Sequence, residues 1–193
     1  MNHKDIVKEI AALDWASVDP RDIIILSHCT AQEFSQSLRL TKKVYPDDKR
    51  LEEMMAGELQ TDNMAYEDYT KKGDHWEFLD HFVRKLGLVS QTPELTKAME
   101  RYLLAVASLS GEERAMTIFS REEELTGIFE KILVAHDWEA LGYGFYKYYL
   151  SQHILFDSGD NGHAWLTKHF PVHEPILEKF YKDRLTLYGS LFA

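Results

Sequence analysis

The sequence predicts an all-α protein: a single helical bundle of seven or eight helices formed by residues 1–193. Three observations carry this reading. Apolar residues recur at three- and four-residue spacing, Asp-Pro or Thr-Pro pairs stand where periodic runs begin, and no segment shows the alternation of a half-buried strand. Residues 22–27, with three consecutive Ile, are the one stretch that invites a strand. They follow Asp19-Pro20, however, and apolar spacing continues through Ile23, Leu26, Thr30, Phe34 and Leu38, so one long helix is expected, ending before Pro46.

A second helix is expected from Asp47 or Asp48 through Leu51, Met54, Met55, Leu59 and Met64 to about Tyr69, stopped by Lys71-Lys72-Gly73. Asp74 then caps a third, residues 75–86, closed by Gly87. Thr92-Pro93 opens a fourth that ends near Ser110-Gly111, and a fifth covers 112–135. The sixth starts at Asp137 or Trp138 and carries the aromatic run 142–149, after which residues 158–162 break it. A short segment, 163–170, and a last helix over 173–191 complete the bundle, whose short connections favour antiparallel neighbours.

Composition narrows the function. The chain carries 22 Lys and Arg against 32 Asp and Glu, a net charge of −10. It has no basic stretch longer than Lys42-Lys43 or Lys71-Lys72, which argues against nucleic acid as a partner. No apolar run reaches the roughly 18 residues of a membrane span, and residues 1–7 lack a signal-like apolar stretch, so a cytoplasmic protein without a membrane partner is expected. A single Cys29 excludes a disulfide framework or a cysteine-rich zinc site, leaving any metal to the nine His and the carboxylates. The Glu-x-x-His pairs of ferritin-like sites do not occur.

Three clusters could nevertheless serve a metal. His153 and Asp157 stand at i,i+4 on the face that also carries Tyr146, Tyr149 and Leu150, with Asp160 and His163 following. The plainer reading of this cluster is a helix end running into a polar loop. Glu67 and His75 end one expected helix and begin the next; in a first helical turn the dipole disfavours imidazolium and favours a neutral, ligating ring. Glu122 lies three residues before Leu125 and four after Ile118, facing inward, where it needs a metal or Arg121 as partner. Glu58 with Asp62, and Glu33, could be outer carboxylates or an extra bridging ligand, but such residues are more often solvated helix faces and stay outside the expected ligand set.

Taken in order, these motifs resemble the haem-oxygenase-like di-iron oxidases over residues 47–170: Asn63-x-x-x-Glu67, a polar turn, His75 on an aromatic-rich helix ending Leu-Gly-Leu, Glu122, then Tyr148-Tyr149-Leu150-x-x-His153-x-x-x-Asp157. The resemblance implies a haem-oxygenase-like fold and metal ligands at Glu67, His75, Glu122, His153 and Asp157. The sixth would be His163, reached through the Gly159 and Gly162 bends, or Asp160. It implies two iron ions, with manganese the other candidate. It also implies O2 as co-substrate and a small organic acid, amine or amino acid as substrate. Tyr146 and Tyr149 would be catalytic, lining the cavity and donating an electron or hydrogen atom. A homodimer remains open. Two other classes fit the same residues: a metal-free helical enzyme of the thiaminase or quinone-cofactor-synthase type, and a non-catalytic binding protein in which His75, His153 and Asp157 point apart. His3, His28, His81, His136, His169 and His173 need no special role.

Overall fold

Helix starts are set by side chains that accept from first-turn N–H groups otherwise left without partners. Asn2 does so for α1 (His3–Ala11), Asp19 for α2 (Pro20–Val44), Asp48 for α3 (Lys49–Glu58) and Ser110, through a reciprocal box with Glu113, for α6 (Gly111–Ala135). The other helices are α4 (His75–Lys85), α5 (Pro93–Ala107), α7 (Gly144–Asp157) and α8 (Glu174–Gly189), with 3-10 turns at Trp15–Ser17 and Ser190–Phe192. The computed structural model describes residues 2–157 and 172–192, apart from the side chains of 122–124 and 157. Among these residues the architecture is all-helical, and no helix is long and apolar enough to cross a membrane. The short segment expected at 163–170 lies outside the described residues.

The spine is the packing of α2 on α6, each 25 residues long. Against it lie α4, on α2, and α7, on α6; α1 and α8 pack together on another side, and α5 rests on α8. Ile23, Ile24, Leu26, Phe78, Ile128, Tyr146, Leu150 and Leu177 belong to the main core; Leu38, Leu51, Met54, Ile118 and Phe119 form a smaller one at the α3 end. Two polar ties set the flanking helices. Asp22, buried near the start of α2, accepts from Gln91 N at 2.8 Å and Thr92 Oγ1 at 2.6 Å, fixing the entry to α5. Glu174 accepts from His3 N at 2.6 Å and lies 2.7 Å from His3 Nδ1, joining α8 to α1.

Within the spine, Glu33 of α2 and Arg121 of α6 form a fully buried pair, Nη1 to Oε2 at 2.6 Å and Nη2 to Oε1 at 3.2 Å. Tyr102 Oη (3.0 Å) and Ser37 Oγ (2.5 Å) donate to the same carboxylate. Burial works against the Glu33 charge, but Arg121 and Ser37 outweigh it and hold the carboxyl below its ordinary range. Phe34 and Phe180 lie against the Arg121 guanidinium at 5.1 and 5.0 Å.

The structure departs from the sequence-based expectation at three boundaries. The second helix stops at Glu58 instead of Tyr69. Leu59 turns extended, Gln60 takes a φ of 52°, and the Asp74 carboxylate accepts from Gln60 N and Nε2, both at 3.2 Å. Asn63 Nδ2 donates to Gly57 O at 2.9 Å, capping the helix end, and Thr61 bridges to Gly73. Side-chain and bridge bonds thus replace about three more turns of helix. Helix α7 begins at Gly144, because Gly142 at φ 79° and a turn ending in Tyr143 N to Trp138 O (2.7 Å) precede it. Finally, α1 is a helix the sequence reading did not expect, buried through Ile6, Val7 and Ile10.

Glu33→Gln should destabilise the fold by about 3–5 kcal/mol, the usual result of breaking a buried pair. Because the folded Glu33 pKa is lowered, its stabilisation is complete above the ordinary value of 4.5 and is lost as pH falls through the lower folded value. Thermal unfolding across the acid range checks this: the variant should lose less stability on acidification than the wild type.

Candidate metal centre

The end of α3, the loop after it, the start of α4 and the last turns of α7 converge on one point. His75 opens α4 directly after Asp74, whose carboxylate is engaged by Arg39 (2.5 Å) and Gln60. Glu77 closes the cap by accepting from Asp74 N at 2.8 Å. These bonds fix the helix start, and with it the His75 ring.

The ring protons can be placed from their partners. Because Asn63 Nδ2 is committed to Gly57 O, its Oδ1 faces His75 Nε2 at 2.8 Å, so Nε2 carries a hydrogen, and in the neutral ring Nδ1 holds the lone pair. His153 Nδ1 lies 2.9 Å from Tyr149 O, a carbonyl that can only accept, so its Nε2 likewise holds a lone pair. The two bare nitrogens face each other at 3.1 Å, and Glu58 Oε2 lies 2.9 Å from His75 Nδ1. Two ring nitrogens and a carboxylate oxygen meet here, an arrangement that a cation, or a proton shared among them, would satisfy.

Glu58, His75 and His153 are all buried, and their ligand atoms lie within 4.8 Å of one another, so this group could hold a metal ion. With bonds of about 2.1 Å, donors 2.9 and 3.1 Å apart subtend about 90°, whereas a tetrahedral ion would set them about 3.4 Å apart. These spacings are closer to the right angles of a six-coordinate ion than to a tetrahedron, and they are equally hydrogen-bond distances. Each ring's second nitrogen is held by an oxygen acceptor, as metal-binding imidazoles usually are.

The group borders a cavity of about 50 Å³, room for several waters. Its walls include Leu26, Phe34, Leu125 and Phe129, and Arg121 and Arg184 also line it. Tyr149 lies over His153 with ring centroids 4.1 Å apart and lines the cavity. Tyr146 stacks on Tyr149 at 6.1 Å, bonds to Ser27 Oγ at 2.6 Å and is not among the lining residues; burial pushes its hydroxyl well above the ordinary tyrosine range. Burial also pushes the Cys29 thiol up to about 11, which keeps it protonated and inert.

Of the residues singled out in the sequence, His75 and His153 are brought together. Glu67 is not: it sits at φ 50° in an exposed turn between Tyr66 and Tyr69, 3.3 Å from Lys85 Nζ, while Glu58 meets His75 instead. The reason is the early end of α3, which turns the loop so that its tip faces solvent and its root faces α4. Arg121 is engaged by Glu33, so it is not a partner held in reserve for Glu122. The side chains of Glu122 and Asp157, and all of Asp160 and His163, lie outside the described residues. Glu58 and Asn63 are the residues that sequence reasoning left out. A signal for Glu58 was present, since it continues the buried Leu51, Met54 spacing as a carboxylate on an apolar stripe.

No family model, curated protein or solved structure matches the chain.

Asn63→Ala frees the His75 ring to rotate and should weaken binding of a divalent cation by about 10–100-fold. Anaerobic titration with Co(II), followed by visible absorbance, measures this, with circular dichroism as the check on folding.

Proposed function

We propose that this chain is a non-haem iron oxidase or oxygenase of the haem-oxygenase-like di-iron type. Glu58, His75 and His153 would be ligands, and a small organic acid, amine or amino acid would be the substrate. The observation that carries the reading is the convergence of two imidazole nitrogens and a carboxylate in a buried site, with the far nitrogen of each ring held by an oxygen acceptor. Two His with one carboxylate is the donor set of non-haem Fe(II) oxygenases. Iron bound there would supply O2 activation. Under the resemblance a second ion would draw on Glu122 and Asp157.

The protein's own groups do the remaining work. Asn63 and the Tyr149 carbonyl keep both rings in the tautomer that presents a lone pair. Leu26, Phe34, Leu125 and Phe129 keep bulk water from the chamber and give an apolar substrate a surface to rest on. Tyr149, tilted against His153 and lining the same chamber, is placed to give an electron or a hydrogen atom, with Tyr146 behind it. The binding-protein alternative expects His75 and His153 to point apart, and they face each other.

The same 2.9 and 3.1 Å spacings are also hydrogen-bond distances, which favours as a second reading a metal-free acid–base enzyme with one proton shared in the group.

Iron analysis separates the two. Protein loaded anaerobically with Fe(II) should hold about two ions per chain if the site is dinuclear and about one if Glu58, His75 and His153 act alone. His153→Ala should lose most of that iron, and Tyr149→Phe should keep the iron but consume O2 more slowly in an oxygen-electrode assay. Iron binding indifferent to His153→Ala would remove this assignment and leave the acid–base reading.

A further inference from the structure

Arg184 of α8 lines the cavity and takes no part in the proposed reaction. It is 2% exposed. One Nη2–H donates to Tyr188 Oη at 2.6 Å, but Nε and Nη1 meet no acceptor among the described residues. Tyr102, Phe180 and Tyr188 surround the guanidinium at 5.9, 5.6 and 5.4 Å, and these ring faces favour its charge without satisfying an N–H. The buried carboxylate whose charge it feels, Glu33, already accepts from Arg121 twice, from Tyr102 and from Ser37. Two guanidiniums therefore face one carboxylate here, leaving one buried positive charge without a counterion among the described residues. Such a group is strongly unfavourable unless something pairs with it.

We infer that Arg184 anchors the carboxylate of a small monocarboxylic ligand that occupies the cavity. A guanidinium has five N–H groups; with one Nη2–H given to Tyr188, the other still forms a two-pronged fork with either Nε–H or Nη1–H, the geometry a carboxylate accepts. A single negative charge matches the one guanidinium left over at Arg184, whereas a phosphate dianion exceeds it. Apolar walls at Ile23, Leu26 and Phe34 suit the alkyl or aryl body that such an acid carries behind its headgroup. The ligand would then lie between a positive anchor on α8 and the Glu58, His75 and His153 group at another part of the wall. This rests on reading the cavity as a substrate chamber, but not on the metal, and the test uses that separation.

Straight-chain carboxylates from acetate to hexanoate, their matching amides and inorganic phosphate are titrated calorimetrically into EDTA-treated wild type and Arg184→Met. At least one carboxylate should bind the metal-free wild type at least 10-fold more tightly than its amide and than phosphate. Arg184→Met should erase that preference and raise the melting temperature, because removing a buried unpaired cation relieves the fold; a merely structural arginine would lower it. Equal binding of acid and amide, or carboxylate binding that survives Arg184→Met, overturns the anchor. So does carboxylate binding that requires added Fe(II), which would leave the iron reading standing. Loss of iron binding with the acid preference intact sinks the iron reading and leaves the anchor. Should Arg184→Met not fold, the acid-against-amide comparison on wild type decides alone.

Discussion

The Glu33–Arg121 pair is the constraint on which the interior depends. It joins the two long helices, α2 and α6, at full burial, and a charge there is tolerable only because every oxygen of Glu33 is hydrogen-bonded. Register between the helices follows, since sliding one past the other would strand both charges. Because Tyr102 of α5 donates to the same carboxylate, the pair also sets where α5 meets the spine. Once Glu33 is fully engaged it has no acceptor left for Arg184, and the cavity beside it acquires an uncompensated positive wall.

The negative group on the same cavity is built by different means. α3 stops at Glu58, the following loop folds back onto Asp74, and that carboxylate also takes Arg39, so one buried acid fixes both the loop and the start of α4. The outcome is a His75 ring held by Asn63 and opposed by His153. Neither contact is local. Residues 58, 63, 75 and 153 come from four segments and meet only when α7 packs against α6 and α4 is seated on α2.

Much of the helical architecture was legible because it follows from rules that act within a few residues. Asp19-Pro20 marks the start of α2, Thr92-Pro93 that of α5, and the spacing of Ile176, Leu177, Phe180 and Leu187 that of the last helix. The end of α3 was not legible, because periodicity continued through Leu59 and Met64 while the interactions that break the helix come from Asp74, fourteen residues beyond Gln60. Glu67 looked like a ligand for the same reason: a continuous helix would have pointed it toward His75, and the turn at φ 50° points it at Lys85.

The sequence by itself determined the all-helical class, the positions of the long helices and the placing of His75 and His153 on helices, since propensity, capping and apolar spacing are properties of short segments. Which carboxylate joins those histidines, which nitrogen of each ring faces it, and which arginine is left without a buried carboxylate among the described residues were decided only by tertiary structure. Each depends on how buried polar groups are matched across helices distant in sequence. A buried acceptor or cation takes whatever partner packing brings within about 3 Å, and sequence spacing carries no record of that distance.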